Sequence, residues 1–440
     1  MNGPLPASQL DRLLKEMDIM DLSKATIRQC TAVGSALEKE AGEPFTHLEI
    51  GVPGIAACPY GIAAQKKALD DGIASIYPVI NGYPELKENA SRFLKAFVDI
   101  DVNPQGIVPT VGSMQASFDL VLECSQLDPR KDTILYICPG FPPHGRQPDV
   151  LGIKNLHFDI YEYRAEKLRP KLESYLSQGN IAAILYSNPN NPAWICLTED
   201  ELRTIGECAT KYDCIILEDM AYLCMDFRKD MSRPFEPPFQ STVARYTDNY
   251  VLMLSGSKIF SYAGERIAVA CISDKLYHRE YPALRERYGI GTFGDNYILT
   301  YLYVTSSGTS HSAQYALAAM MKAAVEGKYD FVKEMREYGY RAHRSRELFD
   351  KYGFHLVYDK DMEQTISDGF FYTVGYKDLS NRALLEGLFR CGIIAIALNT
   401  TGSGQSGVRV CVSRLLTDDD FARLEERLGY FVQLYNEGAL

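Results

Sequence analysis

The sequence predicts an α/β fold: a large domain with an open, mostly parallel sheet flanked by helices, and a smaller α+β domain. Short runs that are nearly continuous in Ile, Leu and Val recur through the middle of the chain. Helix-like stretches alternate with these runs, and towards the carboxyl end long helices predominate. A chain of 440 residues is long enough for one large domain and a second, smaller one.

The candidate strands are short and apolar on both faces, which is typical of strands covered on both sides of a parallel sheet. Thr198 and Glu201 form a capping-box pattern that opens a helix between two of them. Strand, helix and strand in succession predict right-handed crossovers. The predicted strands are residues 132–138, 181–187, 214–217, 250–254 and 266–272.

The last part of the chain has a different pattern, which indicates a separate small domain. A long helix is predicted over residues 336–352, followed by an apolar run at 369–374, a helix at 382–391, a strand at 408–412 and a final helix from Asp418. We therefore expect an N-terminal segment, 1–55, packed on a small domain, 308–440, with the large domain at 56–307.

Composition limits the classes of partner and location. The net charge of −11 disfavours binding to the phosphate backbone of nucleic acids. The first residues lack a basic start before an apolar stretch, and no apolar run approaches the roughly 20 residues of a membrane helix. Eleven cysteines are scattered without a CxxC pair, which favours reduced thiols in a cytoplasmic protein. No HExxH motif or Walker loop occurs, and no metal site is predicted.

Lys258 is the main candidate for a reactive side chain. It lies in SGSKIFSYAGERIA directly after a predicted strand, where open α/β sheets bind ligands. Ser255 and Ser257 precede it, and Arg266 follows eight residues later. A lone lysine in a loop is usually a solvated charge, but hydroxyls and a guanidinium beside it suit a phosphate dianion.

Two further segments could hold a flat, phosphorylated ring. Gly112-Ser113-Met114 joins the strand-like IVPTV to a helix-like stretch, where a helix start directs free N–H groups at an anion. Such joins are common, so this pattern is weak alone. Phe141 in CPGFPPH could stack on a ring or equally be a core residue.

Polar candidates follow two other predicted strands. Asp219 in CIILEDMAY could pair with a ring nitrogen, although an isolated aspartate is more often an N-cap or a surface residue. Tyr222 and Asn191, the latter in SNPNNPAW, could bind a ring oxygen, or could be a packing tyrosine and a turn former. An amine, an acid, ring-oxygen donors, a phosphate site and an aromatic residue are the requirements of pyridoxal phosphate, so we predict this cofactor.

The chain resembles the class I/II aminotransferase family, pyridoxal-phosphate enzymes of the aspartate aminotransferase fold. Order and spacing agree as well as residue identity over about residues 48 to 414. The resemblance implies that the chain moves an amino group from an amino acid to a 2-oxo acid by a ping-pong mechanism. The matching segments are LEIGVPG, YPVINGYPELKENASRFL, VPTVGSMQA, CPGFPPH, YSNPNNP, LEDMAY, SGSKIFSYAGERIA, GFFYTV and VRVCVSR.

The resemblance also implies residue roles. Lys258 would hold the cofactor as a Schiff base and shuttle a proton, with Asp219 on the pyridinium nitrogen and Tyr222 and Asn191 on the phenolate oxygen. The remaining implied roles are phosphate binding by Gly112, Ser113, Met114, Ser255 and Arg266, ring stacking by Phe141, carboxylate binding by Gly51, Asn191 and Arg409, and a contact of Tyr77 with the neighbouring subunit's phosphate. The last role implies a homodimer with shared sites.

Two departures from the family pattern leave the substrate open. Ala193 and Trp194 follow Asn-Pro where the family usually has Thr-Gly, and Ala268 replaces a common glycine. β-Elimination or decarboxylation would use the same lysine and acid, and a non-catalytic ligand sensor is a further alternative. Arg146, Arg285 and Arg287 are candidate cations for an acidic substrate, and Tyr60 and Phe293 are candidates for an aromatic pocket.

Overall fold

The structure, a computed structural model, describes residues 3–440 and centres on a seven-stranded sheet. In chain order the strands are β1 (Thr46–His47), β2 (Ile107–Val111), β3 (Thr133–Cys138), β4 (Lys154–Asp159), β5 (Ile181–Ser187), β6 (Ile215–Asp219), β7 (Tyr250–Ser255), β8 (Ile267–Ile272), β9 (His355–Leu356), β10 (Lys360–Asp361), β11 (Gln364–Thr365), β12 (Phe371–Gly375), β13 (Ile393–Ile394), β14 (Ile396–Ala397) and β15 (Val408–Cys411). The large sheet has the order β2-β8-β7-β6-β5-β3-β4.

Strands β4, β3, β5, β6 and β7 are parallel, which confirms the predicted mostly parallel sheet. Strand β8 is antiparallel to both of its neighbours, β2 and β7. Residues 256–266, which join β7 to β8, are too few for the crossover helix that a parallel connection needs. The apolar pattern of β8 therefore predicts a strand buried on both faces but not its direction.

Both faces of the large sheet are buried, as the apolar strands indicate. In β6, Ile216 belongs to one hydrophobic cluster, whereas Ile215 and Leu217 belong to the cluster on the other face. Strand β4 is absent from the predicted set because it lies at the edge of the sheet and carries polar residues such as Lys154. Within residues 3–440, no helix combines the length and apolar character that crossing a bilayer requires.

Helices cover the sheet. They are α1 (Ala7–Glu16), α2 (Ile27–Ala41), α3 (Pro59–Asp70), α4 (Pro84–Val98), α5 (Gly112–Cys124), α6 (Pro142–Leu151), α7 (Leu168–Leu176), α8 (Glu199–Tyr212), α9 (Gly256–Ile259), α10 (Asp274–Tyr277), α11 (Pro282–Tyr288), α12 (Phe293–Asn296), α13 (Tyr303–Ser306), α14 (His311–Val325), α15 (Phe331–Lys351), α16 (Asn381–Arg390) and α17 (Asp418–Asn436). A π-helical segment, Tyr297–Leu302, joins α12 to α13.

Helix starts follow local capping chemistry. The capping box of α8 is present: the Glu201 amide donates to Thr198 Oγ1 at 3.2 Å, and the Thr198 amide donates to Glu201 Oε2 at 3.0 Å. Helix α15 begins five residues before the predicted start at 336, because Asp330 accepts the Lys333 amide at 2.9 Å and caps it there. Side-chain caps thus fix helix boundaries that apolar periodicity leaves open.

A second, four-stranded sheet has the order β14-β15-β12-β9 and is antiparallel throughout. The N-terminal segment contacts this part of the chain, since β1 pairs with β13 and α1 packs against α16. Helix α14 packs mainly on α3 and α4, although the predicted boundary assigns it to the small domain. The division at residues 55 and 308 stays a prediction.

Candidate active site

Lys258 lies just beyond the carboxyl end of β7, in the short helix α9. Ser255 Oγ accepts the Ser257 amide at 3.1 Å and caps this helix, which fixes the position of the lysine. The Lys258 Nζ donates a hydrogen bond to the Gly51 carbonyl and lies 5.2 Å from the centre of the Phe370 ring. The amine is therefore held beside an aromatic ring and a backbone acceptor.

The surroundings of Lys258 favour its neutral form. Burial, against an opposing effect of Cys411 and with a smaller contribution from the positive charges of Arg409 and Arg266, lowers the pKa of Lys258 to about 8. A neutral amine has a lone pair, so Lys258 can act as a nucleophile or accept a proton near physiological pH.

A candidate anion site lies at the start of α5. Gly112 has φ +67°, and a β-carbon there would lie 2.7 Å from Arg266 Nη2, so the guanidinium is packed against this backbone. Ser113 Oγ is buried without a hydrogen-bond partner in the described chain. No side chain caps α5 at Val111, and Met114 follows in its first turn. An unpaired hydroxyl, a guanidinium and an uncapped helix start fit a phosphate group.

Asp219 is the last residue of β6 and is only 5% exposed. The Ala221 amide donates to its Oδ1 at 3.0 Å, and its Oδ2 lies 3.8 Å from His144 Nε2. Burial raises the pKa of Asp219 to about 7, and burial lowers the pKa of His144 to about 4. His144 is neutral at pH 7, so it does not compensate the buried carboxylate. The Asp219 carboxylate can accept a hydrogen bond from a pyridinium N–H, and the pyridinium would supply the missing positive charge.

His144 is a residue of the site that the sequence prediction omits. Its Nε2 is buried without a hydrogen-bond partner in the part of the chain that is described. Phe141 stands three residues earlier, at the start of α6, and its half-buried ring is perpendicular to His144 at a centroid distance of 5.5 Å. His144 is the last residue of the segment CPGFPPH. It lies three residues after Phe141 at a helix start, and this spacing is the pattern that could have identified it.

Asn191, Tyr222 and Arg409 form a connected group in the interior. Asn191 Nδ2 donates to the Tyr222 hydroxyl at 3.1 Å, and Arg409 Nη1 donates to Asn191 Oδ1 at 3.4 Å. Burial raises the pKa of Tyr222 far above its ordinary value, so this side chain keeps its proton. The structure therefore brings Arg409 into contact with Asn191, 218 positions earlier in the chain.

Arg409 is an unusual buried cation. It lies in β15, is 1% exposed, donates through Nη2 to the Glu49 carbonyl, and is 4.6 Å from the centre of the Phe371 ring. Burial lowers its pKa, and its Nε is without a partner. Among the described residues no carboxylate forms an ion pair with it. Because a buried guanidinium is costly unless it is paired, the geometry fits a carboxylate ligand.

Other predicted residues lie elsewhere. Tyr77 is 88% exposed and shows no contact with the residues around Lys258 in its own chain. Arg285 pairs with Glu280 on the surface, and Phe293 is fully buried against Tyr281 in the hydrophobic cluster. The Tyr60 hydroxyl donates to the Lys328 carbonyl, Arg146 is exposed on α6, and Arg287 packs on the Tyr288 ring. Within residues 3–440, no hydrogen bond or ion pair links Arg146, Arg285 or Arg287 to Arg409.

Comparison with known proteins places the chain in a family. The family model described as aminotransferase class I and II matches residues 44–428. A probable aspartate aminotransferase of Methanocaldococcus jannaschii is 27% identical over 66% of this chain and 70% of its own length. An asparagine–oxo-acid transaminase of Streptococcus mutans is 24% identical over 80% of this chain and 81% of its own length.

Solved structures agree in fold. An aspartate aminotransferase of Thermus thermophilus, a single mutant, has a TM-score of 0.72 at 18% identity, with 93% of this chain and 97% of the other covered. A Pyrococcus protein gives a TM-score of 0.74 over 99% of this chain and 100% of the other, also at 18% identity. From these matches and the near-complete coverage of the family model, the chain belongs to the class I and II aminotransferase family.

Proposed function

We propose that this protein is a pyridoxal-phosphate-dependent aminotransferase that moves an amino group from an amino acid to a 2-oxo acid by a ping-pong mechanism. The observation that carries the proposal is the convergence of Lys258 and Arg409. They donate to the carbonyls of Gly51 and Glu49, two residues apart on one segment. A lysine that could hold an aldehyde cofactor, near a buried guanidinium without a carboxylate partner, suits a substrate that gives up its amine and is held by its carboxylate.

The residues of this site fit the cofactor, and each has one task in holding it. Lys258 would bind its aldehyde carbon, Asp219 its ring nitrogen, and Tyr222 with Asn191 its phenolate oxygen. Phe141 would stack on the ring, while Gly112, Ser113, Met114, Ser255 and Arg266 would bind the phosphate. When bound, pyridoxal phosphate supplies an electron sink that acidifies the Cα–H bond of an attached amino acid.

The remaining work belongs to side chains of this protein. Arg409 would bind the substrate carboxylate through two parallel hydrogen bonds, with Gly51 and Asn191 beside it, and this fixes the orientation of Cα. Lys258 Nζ, with a pKa of about 8, would accept the proton that leaves Cα and return it at the other end of the reacting system. Buried aromatic rings around both groups keep bulk water from these charges.

We propose a homodimer in which Tyr77 reaches the phosphate site of the other subunit. Exposed apolar side chains occur on its own segment and on α13: Ile76 is 55% exposed, Val79 65% and Val304 78%. His311 Nδ1 lies 3.1 Å from the Ile76 carbonyl, so the start of α14 contacts the segment of Tyr77. Large exposed apolar side chains of this kind are typical of a protein–protein contact. Unbonded cysteines support a cytoplasmic location.

The test is an absorbance spectrum of the purified protein, supplied with pyridoxal phosphate, before and after amino acids are added. We expect a visible band that is absent in Lys258→Ala and present in a control, Lys275→Ala, at an exposed position. The panel should include aspartate and asparagine, named for two relatives, and bleaching by a particular donor would identify the substrate class. Ammonia release without an oxo-acid acceptor would indicate elimination instead, and a wild type without any band would refute the proposal.

A further inference from the structure

Trp194 has a backbone conformation that bulky residues rarely adopt. Its φ is +60°, in the left-handed region, at the position where the family pattern has glycine. The Trp194 amide donates to the Asn190 carbonyl at 3.0 Å, which closes the turn that also contains Asn191. Such a conformation is strained for a side chain with a β-carbon and persists only where the surroundings stabilise it.

The indole of Trp194 is fully buried between two aromatic rings. Its centre lies 5.4 Å from that of Tyr222 and 6.2 Å from that of Phe371, at 65° to each ring. Gly369 makes room for it, because a β-carbon at residue 369 would lie 2.0 Å from Trp194 Cε2. The packing of the indole therefore depends both on tryptophan at residue 194 and on glycine at residue 369.

Of the two rings that contact Trp194, Tyr222 belongs to the polar group of the candidate site and Phe371 contacts it through Arg409. The Tyr222 hydroxyl accepts from Asn191, and Asn191 in turn accepts from Arg409. Phe371 lies under the Arg409 guanidinium at 4.6 Å. A shift of the indole would consequently change the direction of the Tyr222 hydroxyl and the plane of the Arg409 guanidinium together.

We propose that Trp194 is a positioning residue that, with Gly369, sets the orientation of Tyr222 and Arg409. This inference rests on the proposed function, and it assigns the glycine-to-tryptophan departure a role in substrate and cofactor binding. Trp194 acts through its two ring neighbours, and no contact of the indole with substrate is required. The strain at φ +60° is offset by the burial of the ring between these neighbours.

The test compares Trp194→Gly, Trp194→Phe, Gly369→Ala and the double variant Trp194→Gly/Gly369→Ala. Two properties are measured on protein loaded with pyridoxal phosphate: the pH midpoint of the visible absorbance band, and KM separately from kcat. Thermal unfolding of each variant shows whether it folds. The midpoint reports the hydrogen bond from Tyr222, and KM reports the orientation of Arg409.

In Trp194→Gly we expect the midpoint to move by about one pH unit, the change that loss of one hydrogen bond produces. KM should rise about tenfold, within the about 100-fold that misplacement by 1 Å can cost. Gly369→Ala should produce the same changes, because its β-carbon displaces the indole. In the double variant, Gly369→Ala should change neither the midpoint nor KM beyond the effect of Trp194→Gly. Trp194→Phe should keep a midpoint and a KM close to those of wild type.

The outcomes separate the two proposals. A wild type without the visible band overturns the proposed function and this inference with it. A wild-type band whose midpoint and KM are unchanged in folded Trp194→Gly and Gly369→Ala overturns only the inference, since a purely structural role lowers the unfolding temperature alone. Additive effects in the double variant would also overturn it. If Trp194→Gly does not fold, Trp194→Phe and Gly369→Ala decide by the same readouts.

Discussion

Replacement of Asp219 by asparagine should stabilise the cofactor-free protein at alkaline pH. Burial raises the pKa of Asp219 from 3.8 to about 7, so the folded protein keeps a proton that the unfolded chain releases. The resulting loss of unfolding free energy is absent below pH 3.8, grows as pH rises, and reaches its full size above pH 7. A shift of this size corresponds to about 4 kcal/mol, of which about 3 kcal/mol develops between pH 5 and pH 8. An asparagine carries no such charge and keeps the oxygen that accepts the Ala221 amide.

The assay is urea unfolding of cofactor-free wild type and Asp219→Asn at pH 5 and pH 8. Relative to wild type, the variant should gain about 3 kcal/mol between the two pH values. Asp378→Asn, in the exposed loop after β12, is the matched control and should follow wild type. Equal pH dependence of Asp219→Asn and wild type would refute the reasoning. With pyridoxal phosphate the variant should lose activity, because its neutral amide does not hold the ring nitrogen in the protonated form.

Two further substitutions test other parts of the structure. Arg409→Lys should raise KM for the amino acid about 10- to 100-fold, because a lysine cannot reproduce the forked hydrogen bonds, each charged bond contributing about 1.5–3 kcal/mol; steady-state kinetics measure this. Thr198→Ala should lower the unfolding free energy by about 1 kcal/mol without changing activity, because it removes the cap of α8; urea unfolding measures this.

Each of these substitutions has an internal comparison. Arg285→Lys, at an exposed ion pair, should leave KM as it is, and an equally small effect of Arg409→Lys would contradict the carboxylate role. Thr198→Ser keeps a hydroxyl at the cap and should restore most of the lost stability. A stability loss of the same size in the serine variant would show that the cap is not the cause.

Local chemistry in the sequence was enough to predict much of this fold. Strands such as Ile181–Ser187 are apolar on both faces and short, so their burial in a helix-covered sheet follows from pattern alone. Asp219 ends one such strand and Lys258 lies three residues beyond the end of the next, and in a parallel sheet those ends meet at one edge. Features that depend on immediate neighbours in the chain can therefore be predicted from the sequence.

Features that depend on contacts between distant parts of the chain cannot be predicted in this way. The edge strand β4 lacks the apolar pattern, and it is held in the sheet by its pairing with β3. The role of His144 depends on the approach of helix α6 to Asp219 at the end of β6. Packing of Trp194 over Gly369 joins residues 175 positions apart, and no local pattern predicts it. These are tertiary contacts, which the apolar pattern of the sequence does not reveal.

The two ends of the candidate site belong to different sheets. Lys258 follows a strand of the seven-stranded sheet, whereas Arg409 lies within a strand of the four-stranded one. A molecule that bears both an amine and a carboxylate could place its amine on the aldehyde carbon that Lys258 would hold and its carboxylate on Arg409, whereas a simple amine would use only the first contact. The enzyme would then distinguish amino acids from the biogenic amines derived from them by the distance between these two sheets. This selectivity would not depend on any pocket for the side chain.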